Sequence, residues 1–199
     1  MKLILAATSL LLGLAACSPE PASKTGPAAT AANETAPPAA ATPSSAPPPA
    51  DPAAPAANVL TLEGLGALRI GEKVPAGSGW AERGAQISET CRTASSPDHP
   101  GVYAIVEEGE VARITVGQGS DVKLVEGIGV GAAEAAVRAA FAGFRAEPHK
   151  YSEAPAKYLT APNADSGDPA LRFEIGADGK VALIHIGTRP VLFYVEGCA

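Results

Sequence analysis

Three histidines are the first residues to test for chemistry, because imidazole titrates near neutral pH and is a common metal ligand. They stand at positions 99, 149 and 185. None lies three to five residues from another His or from a Cys, so the spacing of a zinc site is absent. Ser95, Ser96, Asp98 and His99 put hydroxyls, a carboxylate and an imidazole in one short stretch. A catalytic triad needs such groups to converge in space from a rigid scaffold, which adjacency in a loop does not supply. Asp98-His99-Pro100-Gly101 reads as a turn. His185 lies within the alternating apolar run Val181–Ile186, on the face opposite Ile184, and is expected as a half-buried, hydrogen-bonded side chain. Asn163, Asp165, Ser166 and Asp168 surround Gly167 and offer oxygen ligands, but the distal Glu of a calcium loop is missing, so a solvated loop is expected. No catalytic residue, metal site or cofactor is expected from these patterns.

One segment mixes types that bind. Phe144-Arg145-Ala146-Glu147-Pro148-His149-Lys150-Tyr151 carries aromatics, two cations and a histidine, and the chain then reaches Lys157-Tyr158. Arg and Tyr are favoured at interfaces, so Arg145, His149, Lys150, Tyr151 and Tyr158 form the candidate binding surface. The competing reading has Tyr151 and Tyr158 capping the core while Lys and Arg carry their charges outward. The scarcity of aromatics, 5% of the chain, favours that second reading.

The elements that must position these residues begin at the N-terminus. Met1 and Lys2 precede a short apolar run, Leu3 to Leu14, that is too short for a permanent membrane span. Leu14-Ala15-Ala16-Cys17 follows. This layout resembles the lipobox signal of bacterial lipoproteins. The resemblance implies a signal peptide over 1–16, cleavage before Cys17 and acylation of the Cys17 thiol, so that the membrane partner is reached through a lipid. In enterobacterial members an Asp after the cysteine favours the inner membrane; Ser18 implies the outer membrane of the cell envelope, with the domain facing the periplasm or the surface. With Cys17 lipidated, Cys91 and Cys198 remain, and an exported chain in an oxidising compartment is expected to join them in a disulfide.

Residues 17–58 form the next element, a lipid-anchored linker rich in Ala and Pro. From Ser18 to Asn58 it holds eleven of the nineteen prolines and no aromatic residue. Such a stretch cannot bury enough apolar surface to offset its ordering entropy, so a disordered stalk is expected. Fully extended it would reach on the order of 120 Å, at about 3.1 Å per residue. The net charge of −6, with no basic run, excludes nucleic acid as a partner, because phosphate contacts by Lys and Arg supply most of that affinity.

Residues 59–199 read as one globular domain with an internal repeat. Shifted by seventy residues, Val102–Gly127 lies on Arg172–Gly197 with nine identities in twenty-six pairs, among them Ile105/Ile175, Gly109/Gly179, Val111/Val181, Ile114/Ile184 and Gly117/Gly187. The expected fold class is α+β: two tandem units, repeat one over 59–127 and repeat two over 128–199, sharing one core. Each would be a helical segment plus a three-stranded antiparallel meander. The predicted strands are Val102–Val106, Val111–Val116 and Val122–Glu126, then Leu171–Ile175, Val181–Ile186 and Val191–Glu196. Ala112, Ile114 and Val116 share a face with a two-residue period, as do Ala182, Ile184 and Ile186, and both sets are expected in the core. Ala132–Ala142 is the predicted helix, with Glu134 and Arg138 in the favourable i,i+4 order and Gly143 as its stop. In the first copy at most one helical turn is expected, around Trp80–Arg83.

Gly129-Val130-Gly131-Ala132-Ala133-Glu134-Ala135-Ala136-Val137 resembles the Gly-containing opening of the helix in the β-lactamase-inhibitor-protein-like fold, a unit shared by small outer-membrane assembly lipoproteins. The resemblance implies binding of a protein or an envelope polymer. A lipid-anchored, non-enzymatic binding or assembly domain is therefore the expected function. The alternatives are an inhibitor of a secreted hydrolase and a small hydrolase using His149 or His185.

Overall fold

The computed structural model describes residues 57–86 and 88–198. The signal over 1–16, Cys17 and the linker up to residue 56 lie outside the described residues. Twelve strands run in chain order: β1 (Val59–Thr61), β2 (Gly64–Leu65), β3 (Leu68–Arg69), β4 (Ala81–Glu82), β5 (Cys91–Ser95), β6 (Val102–Glu107), β7 (Glu110–Val116), β8 (Lys123–Leu124), β9 (Arg145–Pro148), β10 (Lys157–Thr160), β11 (Ala170–Ile175) and β12 (Val181–Gly187). One helix, α1 (Glu134–Ala140), separates β8 from β9, and a 3-10 turn, Val191–Phe193, follows β12. No helix among the described residues is long and apolar enough to cross a membrane.

The α+β expectation, with a helical segment in each repeat, is corrected by these elements. Among the described residues the fold is mostly β, in two sheets with a single α-helix. Where the first copy was to carry a helical turn, Ala81–Glu82 is a strand paired with β5. The glycines and the proline around that stretch disfavour a helix, and a free sheet edge takes the backbone instead. The meanders also differ from expectation. Their third strand precedes each hairpin, as β5 before β6–β7 and β10 before β11–β12. Of Val122–Glu126 only Lys123–Leu124 is strand, and it pairs in parallel with β1 in the other sheet. Val191–Glu196 begins as the 3-10 turn instead of a strand.

The large sheet has the order β4-β5-β6-β7-β12-β11-β10-β9, antiparallel throughout. Its two halves meet where β7 pairs with β12, Ile114 opposite Ile186 and Val116 opposite Ile184. Both hairpins carry a β-bulge at the same place. Ile105 opposes Arg113 while Val106 opposes Val111, leaving Ala112 extra; Glu174 opposes Leu183 while Ile175 opposes Val181, leaving Ala182 extra. A bulge shifts side-chain alternation by one. Val111 and Val181 consequently join Ile114, Val116, Ile184 and Ile186 in the core, and Ala112 and Ala182, expected there, are only half-buried. Ile114 and Ile184 are fully buried.

The main core cluster lies between the sheets, and a smaller one of Cys91, Ile105 and Val191 lies apart from it. The main cluster joins this face of the large sheet to Leu60, Leu65, Leu68 and Leu124 of the small sheet (order β3-β2-β1-β8) and to Val137, the one buried residue of α1. The helix is seven residues, shorter than the predicted Ala132–Ala142. Its N-terminal donors are met by the neighbouring hairpin, with the Glu134 amide bonded to the Gly179 carbonyl at 2.9 Å. Glu134 accepts from both Arg138 (2.8 Å) and Lys157 (3.0 Å), which ties the helix to β10. Phe141 and Phe144 then pack on Phe173 with ring centroids 5.5 and 6.0 Å away.

Candidate functional site

The second face of the large sheet is polar and largely covered. Alternation along β6, β7, β12, β11 and β10 brings Tyr103, Thr115, His185, Arg172 and Thr160 into one cross-strand row. The Thr115 hydroxyl donates to His185 Nδ1 at 2.9 Å, and His185 Nε2 donates to Glu174 Oε1 at 3.2 Å. The other carboxylate oxygen of Glu174 accepts from His149 Nε2 at 3.3 Å. His149 Nδ1 in turn accepts the backbone amides of Tyr151 and Ser152, both at 3.1 Å. Neutral imidazoles protonated on Nε2 satisfy every one of these bonds.

Electrostatics agree with that assignment at His185. Burial pushes the pKa of His185 down, reinforced by the nearby Arg113 and Arg172 and only partly opposed by Glu174. Burial would raise the pKa of Glu174, but its hydrogen bonds to His185 and His149 outweigh it and hold the carboxyl below its ordinary range. Thr115, His185 and Glu174 are linked as hydroxyl, imidazole and carboxylate, but Thr115 and His185 are buried, 0% and 3% exposed, and His149 Nδ1 is taken by two backbone amides.

Arg172 closes the network. It lies 3.3 Å from Glu147, and its guanidinium sits over the rings of Tyr158 (4.0 Å) and Phe193 (4.7 Å). The candidate surface is thus split. His149 stacks on Tyr158 at 4.7 Å, but Tyr158 is 3% exposed and belongs to the interior. Lys150 lies over the ring of Tyr151, which is 59% exposed and bonds Glu196. Arg145 is at the sheet edge and pairs with Asp165 at 3.2 Å.

The C-terminal residues strap this face. Cys198 is joined to Cys91 of β5, with α-carbons 5.5 Å apart. Arg113, 1% exposed, donates to the carbonyls of Val191 and Tyr194 and to the Tyr103 hydroxyl. The Tyr194 hydroxyl reaches Glu107 at 3.2 Å. His99 stacks on Trp80 and Ser96 accepts the Asp98 amide, a turn as expected; Asp165 of the acidic loop pairs with Arg145 and Arg189. No cluster of three or more His, Cys, Asp or Glu suited to a metal occurs among the described residues.

An apolar cleft lies elsewhere, beside the small sheet. With a volume of about 310 Å³, it runs between the ends of β1 and β8 and the Phe141/Phe144 pair, with Leu171 and Ala161 also lining it. That volume is at the lower end of small-molecule sites. Its lips are Leu62, 42% exposed, and Val125, 72% exposed. They are two of the three large apolar residues exposed among the described residues. Each is followed by a glutamate and a glycine, Leu62-Glu63-Gly64 and Val125-Glu126-Gly127, just past two strands that pair in parallel. Gly64 sits so close to the Leu68 carbonyl that a Cβ there would fall 1.9 Å from its oxygen, so this turn requires glycine. Sequence reasoning missed the cleft. The signal that could have found it is the apolar-Glu-Gly pattern at 62–64 and 125–127.

No family model, characterised protein or solved structure matches the chain.

Proposed function

We propose that this chain is a lipid-anchored envelope protein whose β domain binds a ligand through the apolar cleft between the small sheet and the Phe141/Phe144 pair, without catalysing a reaction. The single observation behind the binding reading is the pair of exposed lips, Leu62 and Val125, over an aromatic floor. Large apolar side chains concentrated at one concave site mark recognition more often than scattered ones do. The burial of Thr115 and His185 away from the cleft supports the binding reading over the hydrolase one. The envelope part of the reading rests on Leu14-Ala15-Ala16-Cys17, with the Cys91–Cys198 bond in keeping with an oxidising compartment.

The test has two arms. Full-length chain carrying Cys17→Ala is titrated with the neutral fluorophore N-phenyl-1-naphthylamine, with Leu62→Asp/Val125→Asp as the control. One saturable site, lost in the double variant while its melting transition is kept, is expected. No saturable enhancement would overturn the binding reading. In cells, Cys17→Ala should leave the membrane fraction or remain unprocessed. Unchanged membrane association with normal processing would overturn the anchor.

A further inference from the structure

We propose that the occupant of the cleft is a basic amphipathic peptide segment, its apolar side chains held between Leu62 and Val125 and its flanking Lys or Arg residues paired with Glu63 and Glu126. The proposal rests on the reading of the cleft as a binding site and adds the chemistry of its ligand.

The two lips repeat one design. Each presents an apolar side chain followed at once by an exposed carboxylate, and the two strands carrying them lie side by side, Val59 opposite Lys123 and Leu60 opposite Leu124. Among the described residues, Glu63 and Glu126 are the only charged ones lining the cleft. Neither forms an ion pair among the described residues, whereas Glu134, Glu147, Glu174 and Asp165 all do. Two carboxylates at an apolar mouth, with Arg69 acting on Glu63 only from beyond ion-pair distance, repel an anionic headgroup such as that of a fatty acid. They attract a cation placed next to an apolar group. The volume of about 310 Å³ suits one or two apolar side chains. A peptide meets both requirements, apolar side chains for the floor and cations beside them for the rim. The chain's net charge of −6 works in the same direction at longer range.

The experiment uses the full-length chain carrying Cys17→Ala and dansylated pentapeptides, read by fluorescence anisotropy. Lys-Leu-Phe-Leu-Lys is expected to bind at one site, and Glu-Leu-Phe-Leu-Glu at least about tenfold more weakly. Glu63→Gln/Glu126→Gln should weaken the basic peptide about threefold to tenfold, the range for two exposed ion pairs, and leave N-phenyl-1-naphthylamine binding unchanged. High salt should reproduce that loss in the parent. Equal binding of the acidic and basic peptides, or no response to the double Gln variant, would overturn the charge recognition. Binding of the naphthylamine without either peptide would overturn the peptide proposal and keep the apolar-site reading. Failure of the naphthylamine and the peptides together would remove both.

Discussion

Thr115 and His185 stand seventy residues apart and meet face to face, the threonine hydroxyl 2.9 Å from His185 Nδ1. In the seventy-residue alignment they are the same position. The register of β7 on β12 pairs Ile114 with Ile186 and Val116 with Ile184, so each residue of one hairpin faces a residue displaced equally on the other side of this pair. An approximate two-fold axis therefore passes between Thr115 and His185. At the axis the two equivalent positions hold a donor and an acceptor, and the histidine connects onward to Glu174.

Acid should loosen this network from the histidine outward. His185 has its folded pKa lowered, so below its ordinary value of 6.5 the unfolded chain takes up a proton that the folded chain resists. Its contribution is fully present above that pH and is lost as pH falls toward the folded pKa. Glu174, also lowered, adds a second loss below its ordinary 4.5. Denaturant melts at pH 7.5, 6.5 and 5.5 are expected to show declining stability, with a shallower decline in His185→Gln. Identical slopes in the two proteins would assign the decline to other groups.

The shared bulge predicts how the two hairpins respond to truncation. Ile114→Ala and Ile184→Ala remove fully buried side chains at equivalent positions and should each cost about 2–5 kcal/mol. Val111→Ala and Val181→Ala should also destabilise, since the bulge turns them inward. Ala112→Ser and Ala182→Ser, half-buried on the other face, should stay within about 0.5 kcal/mol. A large loss at the alanines with none at the valines would place the alternation back in unbroken period.

These positions also mark what was legible in the sequence. The hairpins over 102–116 and 171–186 were readable because alternation survives over five or more residues and Gly109 and Gly179 supply turn backbone. The bulges were not, because one added residue leaves composition unchanged and reverses only the face. β2, β3, β4 and β8 have two residues each, too short for any period. The Cys91–Cys198 pairing was found by elimination among three cysteines. Glu174 was passed over because a carboxylate in a strand reads as solvent-facing until two histidines from other segments converge on it.

The β6–β7 turn carries a correctable defect. Glu108 has φ of 53°, followed by Gly109 at 90°, so both central residues of this two-residue loop are left-handed. Such turns favour Asn-Gly, and a residue without that preference is strained there. Glu108→Asn should raise stability by about 0.5–1 kcal/mol, where Glu108→Val should lower it. Urea midpoints decide this; a loss in the Asn variant would indicate that the Glu108 side chain contributes more than its backbone costs.

The strap offers the sharpest test of how the second face is held. Two ties secure it, the Cys91–Cys198 bond and the hydrogen bonds from Arg113 to the Val191 and Tyr194 carbonyls. The disulfide closes a separation of 107 residues, for which the chain-entropy model allows up to about 4.7 kcal/mol. Arg113→Met removes the donors but also removes a buried cation with no carboxylate among its bonded partners, so its own cost should be small. The two ties act on one segment, and their loss should not add. With both gone, the strap can lift as a unit, and a cycle of Arg113→Met, Cys91→Ser/Cys198→Ser and the combination should show a coupling of about 0.5–3 kcal/mol. Hydrogen exchange over 191–198 should rise far more in the combined variant than in either parent. Additivity within about 0.3–0.5 kcal/mol, with exchange unchanged, would mean that Arg113 and the disulfide hold independent elements and that the strap is secured by Tyr194 and Phe193 packing instead.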